Sequence, residues 1–311
     1  MLYIVIGIAL LCLTIKGYCG KKLSSYVNCT GDAYLFNFLR MFFCILIGAA
    51  LVFFEEASSF LIADLGILLI CALSGLSNAA FLVGWMLAIQ KNSMVSVDVS
   101  LTLGSLIPSV LCMILFDEPI SLLKMLGFML ILIATLILAK HNKKNQKGSL
   151  IGTLLLFFAA VGDGISSFSQ QLYKQYYTDA GSRSQETLYP KTVYHFYTYV
   201  FAALILLIVL IFYRARNASP KTKSKGVFSL SPHALLHIFV MAICLFAANY
   251  FQTVATNDYG MSSQMLYPII KGGCLVTVNF TAAIFFGEKL TLRCILGSIV
   301  ALGGIISMSV L

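Results

Sequence analysis

Apolar runs of about twenty residues follow one another along almost the whole of this chain, and most contain a single charge or none. A hydrocarbon core about 30 Å thick needs roughly 20 apolar residues per helix, and with no water inside it an open strand edge stays unsatisfied. Helices are therefore the spanning element. The chain is 59% hydrophobic and only 11% charged, against about 25% charged in soluble domains. A soluble enzyme is excluded, and the fold class is an all-α membrane protein.

Ten transmembrane helices are expected. They cover about Leu2 to Ser24, Ala33 to Phe54, Leu65 to Ile89, Ser93 to Phe116 and Leu122 to Ala139, then Leu150 to Leu172, Thr192 to Tyr213, Pro232 to Thr256, Met265 to Phe286 and Thr291 to Leu311. Two basic linkers interrupt them, Lys140 to Lys147 and Arg214 to Gly226, and a polar loop runs from Tyr173 to Lys191. This divides the chain into a first repeat at 1–139, a linker at 140–149 and a second repeat at 150–311.

The division is also a duplication. Met265 to Thr291 holds a span, a lysine inside it (Lys271), the pair Gly272-Gly273, and a stop at Gly287-Glu288-Lys289. The same ending, Phe116-Asp117-Glu118-Pro119, closes a run in the first half; Gly127 and Gly297 follow Glu118 and Glu288 at the same interval. With small register shifts, Lys16 falls on Asp163, Asn37 on His195, Asn78 on Asn249 and Trp85 on Thr256. Five spans per repeat is an odd number, so the halves cross the membrane in opposite senses, as two inverted five-helix repeats with a substrate site near the midplane between them.

Lysine and arginine crowd the loops after odd-numbered spans, while the loops after even-numbered spans collect Glu55, Glu56, Asp64, Asp117, Glu118, Asp179, Glu186 and Asp258. The positive-inside rule places the odd loops in the cytoplasm and both termini outside. The formal charge of +9 thus reports orientation in a lipid bilayer, and no nucleic-acid partner is expected. The 9 cysteines form no C-x-x-C pair and read as packing residues.

Inside the apolar runs remain Lys16, Arg40, Asp98, Asp163 and Lys271, with His195 near a helix start. Each charge at a helix centre costs about 2.5–3.5 kcal/mol on insertion scales, so it normally faces a cavity or a partner. Lys16, Arg40 and Lys271 are candidate contacts for an anionic substrate group. Asp98 and Asp163 are candidate proton or cation coupling sites. Snorkelling is the alternative for Lys16 and Arg40; a structural ion pair is the alternative for Lys271 and Asp98, which the tally sets at opposite membrane faces. Asp163 lies between Gly162 and Gly164, where a neighbouring backbone can approach closely. Asn249, Gln252, Thr253 and Thr256 share one helix face, as do Asn78 and Trp85. Asn78, Trp85, Asn249 and Gln252 join the candidate substrate-binding set, with hydrogen bonding between helices as the alternative.

Enzyme chemistry finds little footing. Ala160-Val161-Gly162-Asp163 is one residue short of the G-x-G-D pattern of intramembrane aspartyl proteases, and Val97 precedes the other aspartate where that class has tyrosine. Neither a nucleophile triad, a metal-ligand cluster nor a phosphate-binding loop is present, so no cofactor and no metal are expected.

The two five-span repeats, Phe38-Leu39-Arg40 early in the second span, and the endings Phe116-Asp117-Glu118-Pro119 to Gly127 and Phe286-Gly287-Glu288-Lys289 to Gly297 resemble the drug/metabolite transporter (DMT) superfamily and its EamA-type repeats. That resemblance covers essentially the whole chain. It implies a secondary carrier of a small polar metabolite or drug-like solute, working by alternating access as an exporter or exchanger in a bacterial cytoplasmic membrane, proton- or cation-coupled, monomeric or homodimeric. Carriers of nucleotide sugars and phosphorylated sugars in this group hold anionic groups on basic side chains late in the fold, where Lys271 lies. Ten-span relatives keep both termini in the cytoplasm, the reverse of the lysine and arginine tally. The competing reading, from another class, is a non-transporting membrane partner or lipid-carrier accessory subunit, since four-span relatives work in pairs.

Overall fold

The computed structural model describes residues 1–91, 94–116, 121–142, 150–177, 189–217, 231–287 and 292–309. These residues are 91% helical, with no strand among them. The chain runs α1 (Leu2–Ser24), α2 (Thr30–Phe54), a short 3-10 turn (Ala57–Leu61), α3 (Leu65–Lys91), α4 (Met94–Gly104), α5 (Leu106–Phe116) and α6 (Leu122–Asn142). The second half continues with α7 (Leu150–Tyr177), α8 (Lys191–Asn217), α9 (Pro232–Asn257), α10 (Ser263–Phe286) and α11 (Leu292–Ser309). The linkers around 143–149 and 218–230, most of the loop at 178–188, and the Asp117-Glu118-Pro119 and Glu288-Lys289 parts of the duplicated endings lie outside the described residues.

Among the described residues seven stretches are long and apolar enough to cross a membrane: α1, α2, α3, the α4–α5 stretch Val97–Phe116, α8, α9 and α10. The apolar stretches described in α6 and α11 are shorter, Met125–Ala134 and Ile295–Ser307. Large apolar side chains, among them Leu11, Phe53, Leu69, Phe157, Phe212 and Ile284, stand exposed on the outer faces. A soluble surface does not tolerate so much contiguous apolar area, whereas lipid does. The protein is a multi-pass helical membrane protein.

Local chemistry sets several helix ends. The Asp32 carboxylate accepts from the backbone N–H of Cys29 (3.1 Å) and of Asn28 (3.0 Å), closing the start of α2. Ser231 accepts from the Ala234 N–H at 3.2 Å with Pro232 at the first helical position of α9. Gly287 ends α10 at φ +64°, a left-handed conformation that only glycine adopts without steric cost. This is the sharp stop expected there.

The expected fourth span is two helices. Ser105 separates α4 from α5, and Pro108 on the next turn has no N–H to return to the preceding turn. Three hydroxyls fold back onto nearby carbonyls across the break: Thr102 to Asp98 (2.8 Å), Ser105 to Thr102 (2.7 Å) and Ser109 to Ser105 (3.1 Å).

Helices of the two halves pack chiefly on each other. Helix α3 lies on α7 and α1 on α9; α2 packs on α8, α6 on α11, and α10 on α4 and α5. The tightest approaches run through small residues. A Cβ on Gly162 of α7 would stand 2.8 Å from the Ser77 carbonyl oxygen and Phe81 nitrogen of α3, and one on Gly164 would stand 2.6 Å from the Gly104 carbonyl of α4. The backbones therefore touch on both sides of Asp163, as its glycine neighbours imply.

Candidate functional site

A small polar chamber lies in the middle of the bundle, walled by α1, α3, α7, α9 and α10. Lys16, Asn78, Asp163, Gln170, Asn249, Gln252 and Lys271 line it, with Ser166 and Ser167, and Leu13, Phe81 and Leu245 supply apolar wall. Six of the candidates named from sequence meet here, although they come from both halves of the chain. The volume open to the centre of a water molecule is ≈ 20 Å³, room for about one water. The chamber is thus closed down on itself in this conformation.

Its electrostatic centre is an ion pair. Lys271 Nζ on α10 lies 2.5 Å from Asp163 Oδ2 on α7, the two side chains being 11% and 12% exposed. Pro268, one turn before the lysine, cannot donate within α10 and loosens the helix at this depth. Helix α4 packs against both α7 and α10, which brings Asp98 within electrostatic reach of Lys271 and Lys16. Asp98 and Lys271, set at opposite faces by the sequence tally, thus stand on helices that pack against each other.

Lys16 reaches the chamber from α1 and does not snorkel; it is 7% exposed. Its Nζ stands over the rings of Phe81 (5.1 Å) and Trp85 (5.6 Å). Trp85, 2% exposed, lies behind the chamber wall, and its six-membered ring fits only because position 20 has no side chain: a Cβ on Gly20 would collide with it. On the same indole, at 5.8 Å, stands the Arg40 guanidinium. Arg40 is 1% exposed, so it too does not snorkel. Its Nη2 donates to Asn37 Oδ1, while Nε and Nη1 have no hydrogen-bond partner among the described residues.

Neutral groups complete the wall. Asn78 Nδ2 donates to Ser166 Oγ at 2.8 Å, fixing α3 to α7. Asn249 Nδ2 donates to the Tyr199 hydroxyl at 3.0 Å. Tyr267 donates to the Ser167 carbonyl (2.7 Å) and accepts from Gln171 Nε2 (3.1 Å). His195 is buried outside the chamber, its Nε2 3.0 Å from Thr253 Oγ1. The sequence reading missed Gln170, although Asp163, Ser166, Ser167 and Gln170 follow the i, i+3, i+4, i+7 spacing of one helix face.

Side-chain contacts join described residues near both ends of the bundle. At the acidic end Tyr173 and Tyr194 stack at 4.5 Å, the Tyr173 hydroxyl donates to the Tyr189 carbonyl (2.5 Å), and Lys191 pairs with Asp258 (2.5 Å). At the other end Lys21 Nζ donates to the Ile89 carbonyl (3.0 Å) and Gln90 to that of Val27 (2.6 Å), joining α1 and the connection after it to α3. Among the described residues no group of histidines, cysteines and carboxylates could hold a metal ion.

No family model and no curated protein matches this sequence. The fold does have a counterpart: a crystal structure described only as that of a protein is 12% identical, with a TM-score of 0.70 over 98% of this chain and 95% of the other. At that identity the likeness is one of fold alone.

Proposed function

We propose that the chain is a secondary transporter of a small polar solute, built as ten spans in two inverted repeats of the DMT/EamA type. The observation that carries this reading is the closed, charged chamber at the junction of the two halves. Positions matched in the duplication, Lys16 with Asp163 and Asn78 with Asn249, line that chamber together. The helix packing supports this reading. Counting spans within each half, first on third recurs as α1 on α9 and α7 on α3, while second meets second (α2 on α8), fourth meets fourth (α4 and α5 on α10) and fifth meets fifth (α6 on α11). A site on a pseudo-twofold axis opens to either side when one half rocks against the other.

The chamber's composition fits a solute that is bound and released, since ionisable groups are retained at membrane depth when they serve a pathway. Reconstitution tests the reading. Purified protein in vesicles should exchange a labelled polar solute with a saturable rate, and failure across anionic, neutral and cationic solutes would overturn it.

A second reading draws on an apolar groove of about 320 Å³ on the flank, lined by Leu76, Ala80 and Val83 of α3, Leu155 and Phe158 of α7 and Ile205 of α8. A lipid-handling accessory subunit would use that groove and leave the chamber idle. Retained function after chamber substitutions, with loss on filling the groove by Ala80→Phe, would favour it.

A further inference from the structure

In and around the chamber three cations, Lys16, Lys271 and Arg40, face two carboxylates, Asp163 and Asp98. Lys271 is neutralised by Asp163 at 2.5 Å. Asp98 on α4 forms no ion pair among the described residues and acts at longer range on both Lys271 and Lys16. Lys16 and Arg40 have no direct ion-pair partner among the described residues; both are more than nine-tenths buried, and the contact they share is the Trp85 ring, at 5.6 and 5.8 Å. Ring faces attract a cation far less than a carboxylate does, and two nearby buried cations repel each other. Arg40 also keeps Nε and Nη1 without a protein acceptor among the described residues. A buried charge normally has a partner, because leaving it alone in a low-dielectric setting is costly.

We propose that the missing partner is the ligand: the chamber takes a polar organic anion, whose carboxylate or phosphate-ester oxygens pair with Lys16. This rests on the transporter reading and adds the substrate's charge class. Lys16 is the group placed to do it, since it lines the chamber and Arg40 does not. An ammonium is a compact charge without a fixed fork, so it serves a carboxylate or a phosphate oxygen equally. Arg40, across the indole, adds positive potential and repels a cationic ligand. Asn78, Gln170, Asn249 and Gln252 offer amide donors and acceptors to the rest of the ligand. Entry of the anion draws the ammonium off the Phe81 and Trp85 rings.

That movement has a built-in reporter, because Trp85 is the one tryptophan of the sequence. Its emission is followed in nanodiscs at constant ionic strength during titration with succinate, glycerol 3-phosphate, glycerol and ethanolamine. The expected result is a saturable change with succinate or glycerol 3-phosphate and none with glycerol or ethanolamine; the stronger of the two anions identifies carboxylate or phosphate. Lys16→Gln should weaken the anion response by about tenfold or more, the factor expected when a hydrogen bond to a charged group is lost. Lys16→Arg should retain it, which separates charge pairing from damage to the fold. No response to either anion, a response to glycerol or ethanolamine, or an unaltered anion response in Lys16→Gln overturns the proposal. Vesicle flux of the same four compounds separates it from the transporter reading. Flux of glycerol or ethanolamine without anion flux sinks the charge class and leaves transport standing, whereas anion binding without flux of any compound sinks transport alone.

Discussion

Lys271 Nζ and Asp163 Oδ2 meet at 2.5 Å between α10 and α7, two helices of the second half of the chain, on the wall of the chamber that both halves line. The aspartate is held there by backbone contact on either side, Gly162 against α3 and Gly164 against α4. The pair ties α7 to α10 and sets two opposite charges side by side on the chamber wall.

On the transporter reading, Asp163→Asn should uncouple transport. Uphill accumulation in proteoliposomes is expected to disappear while exchange of labelled for unlabelled solute continues, because the amide keeps the shape and loses the charge. Uphill uptake at the wild-type rate in the variant would remove Asp163 from coupling.

The same pair makes a prediction for stability. Lys271→Met leaves the Asp163 carboxylate buried and alone, which typically costs about 3–5 kcal/mol. Adding Asp163→Leu removes the orphaned charge, so the double variant should unfold at a higher temperature than Lys271→Met. Thermal unfolding in detergent of the two single variants and the double closes this cycle, and strict additivity would argue against direct coupling.

Gly162→Ala places a Cβ 2.8 Å from backbone atoms of Ser77 and Phe81, which cannot rotate away. Separating α3 from α7 should cost about 1–3 kcal/mol and lower the unfolding temperature. Gly7→Ala, with nothing within 4 Å, should be neutral or slightly stabilising. Equal behaviour of the two variants in a melting curve would mean that the α3–α7 contact is looser than the packing indicates.

Gly20→Ala would collide with the Trp85 ring. The indole should move, shifting its emission and altering the setting of Lys16 and Arg40. A spectrum and a solute affinity identical to wild type would show that the ring has room elsewhere. Arg40→Met tests the other cation. It should leave unfolding within about 1 kcal/mol of wild type or raise it, since an unpaired buried charge replaced by an apolar chain is often stabilising, while weakening anion binding.

Several features could be read directly from the residues. Spans at α1, α2, α3, α8, α9 and α10 follow from hydrophobic length. The stop at Gly287 follows from the left-handed turn that only glycine takes easily. Asp163 stood out because a charge between two glycines inside an apolar run has few uses other than close helix contact and a partner. The break at Ser105 was harder to see, since Gly104, Ser105 and Pro108 are each tolerated within a membrane helix. Gln170 was hidden by attention to charge, although its spacing from Asp163 was visible.

What the sequence by itself determined was the solvent, the helices and the set of buried charges, because each follows from the local cost of placing backbone and side chains in hydrocarbon. Only the tertiary structure decided the partners: that Lys271 takes Asp163, that Lys16 turns to the Phe81 and Trp85 rings, and that Arg40 stands behind the indole with Asn37. Pairing depends on which helix faces meet and at what depth. Those meetings are set by small-residue contacts between the halves, such as Gly162 on α3 and Gly164 on α4, at separations along the chain that no local pattern encodes.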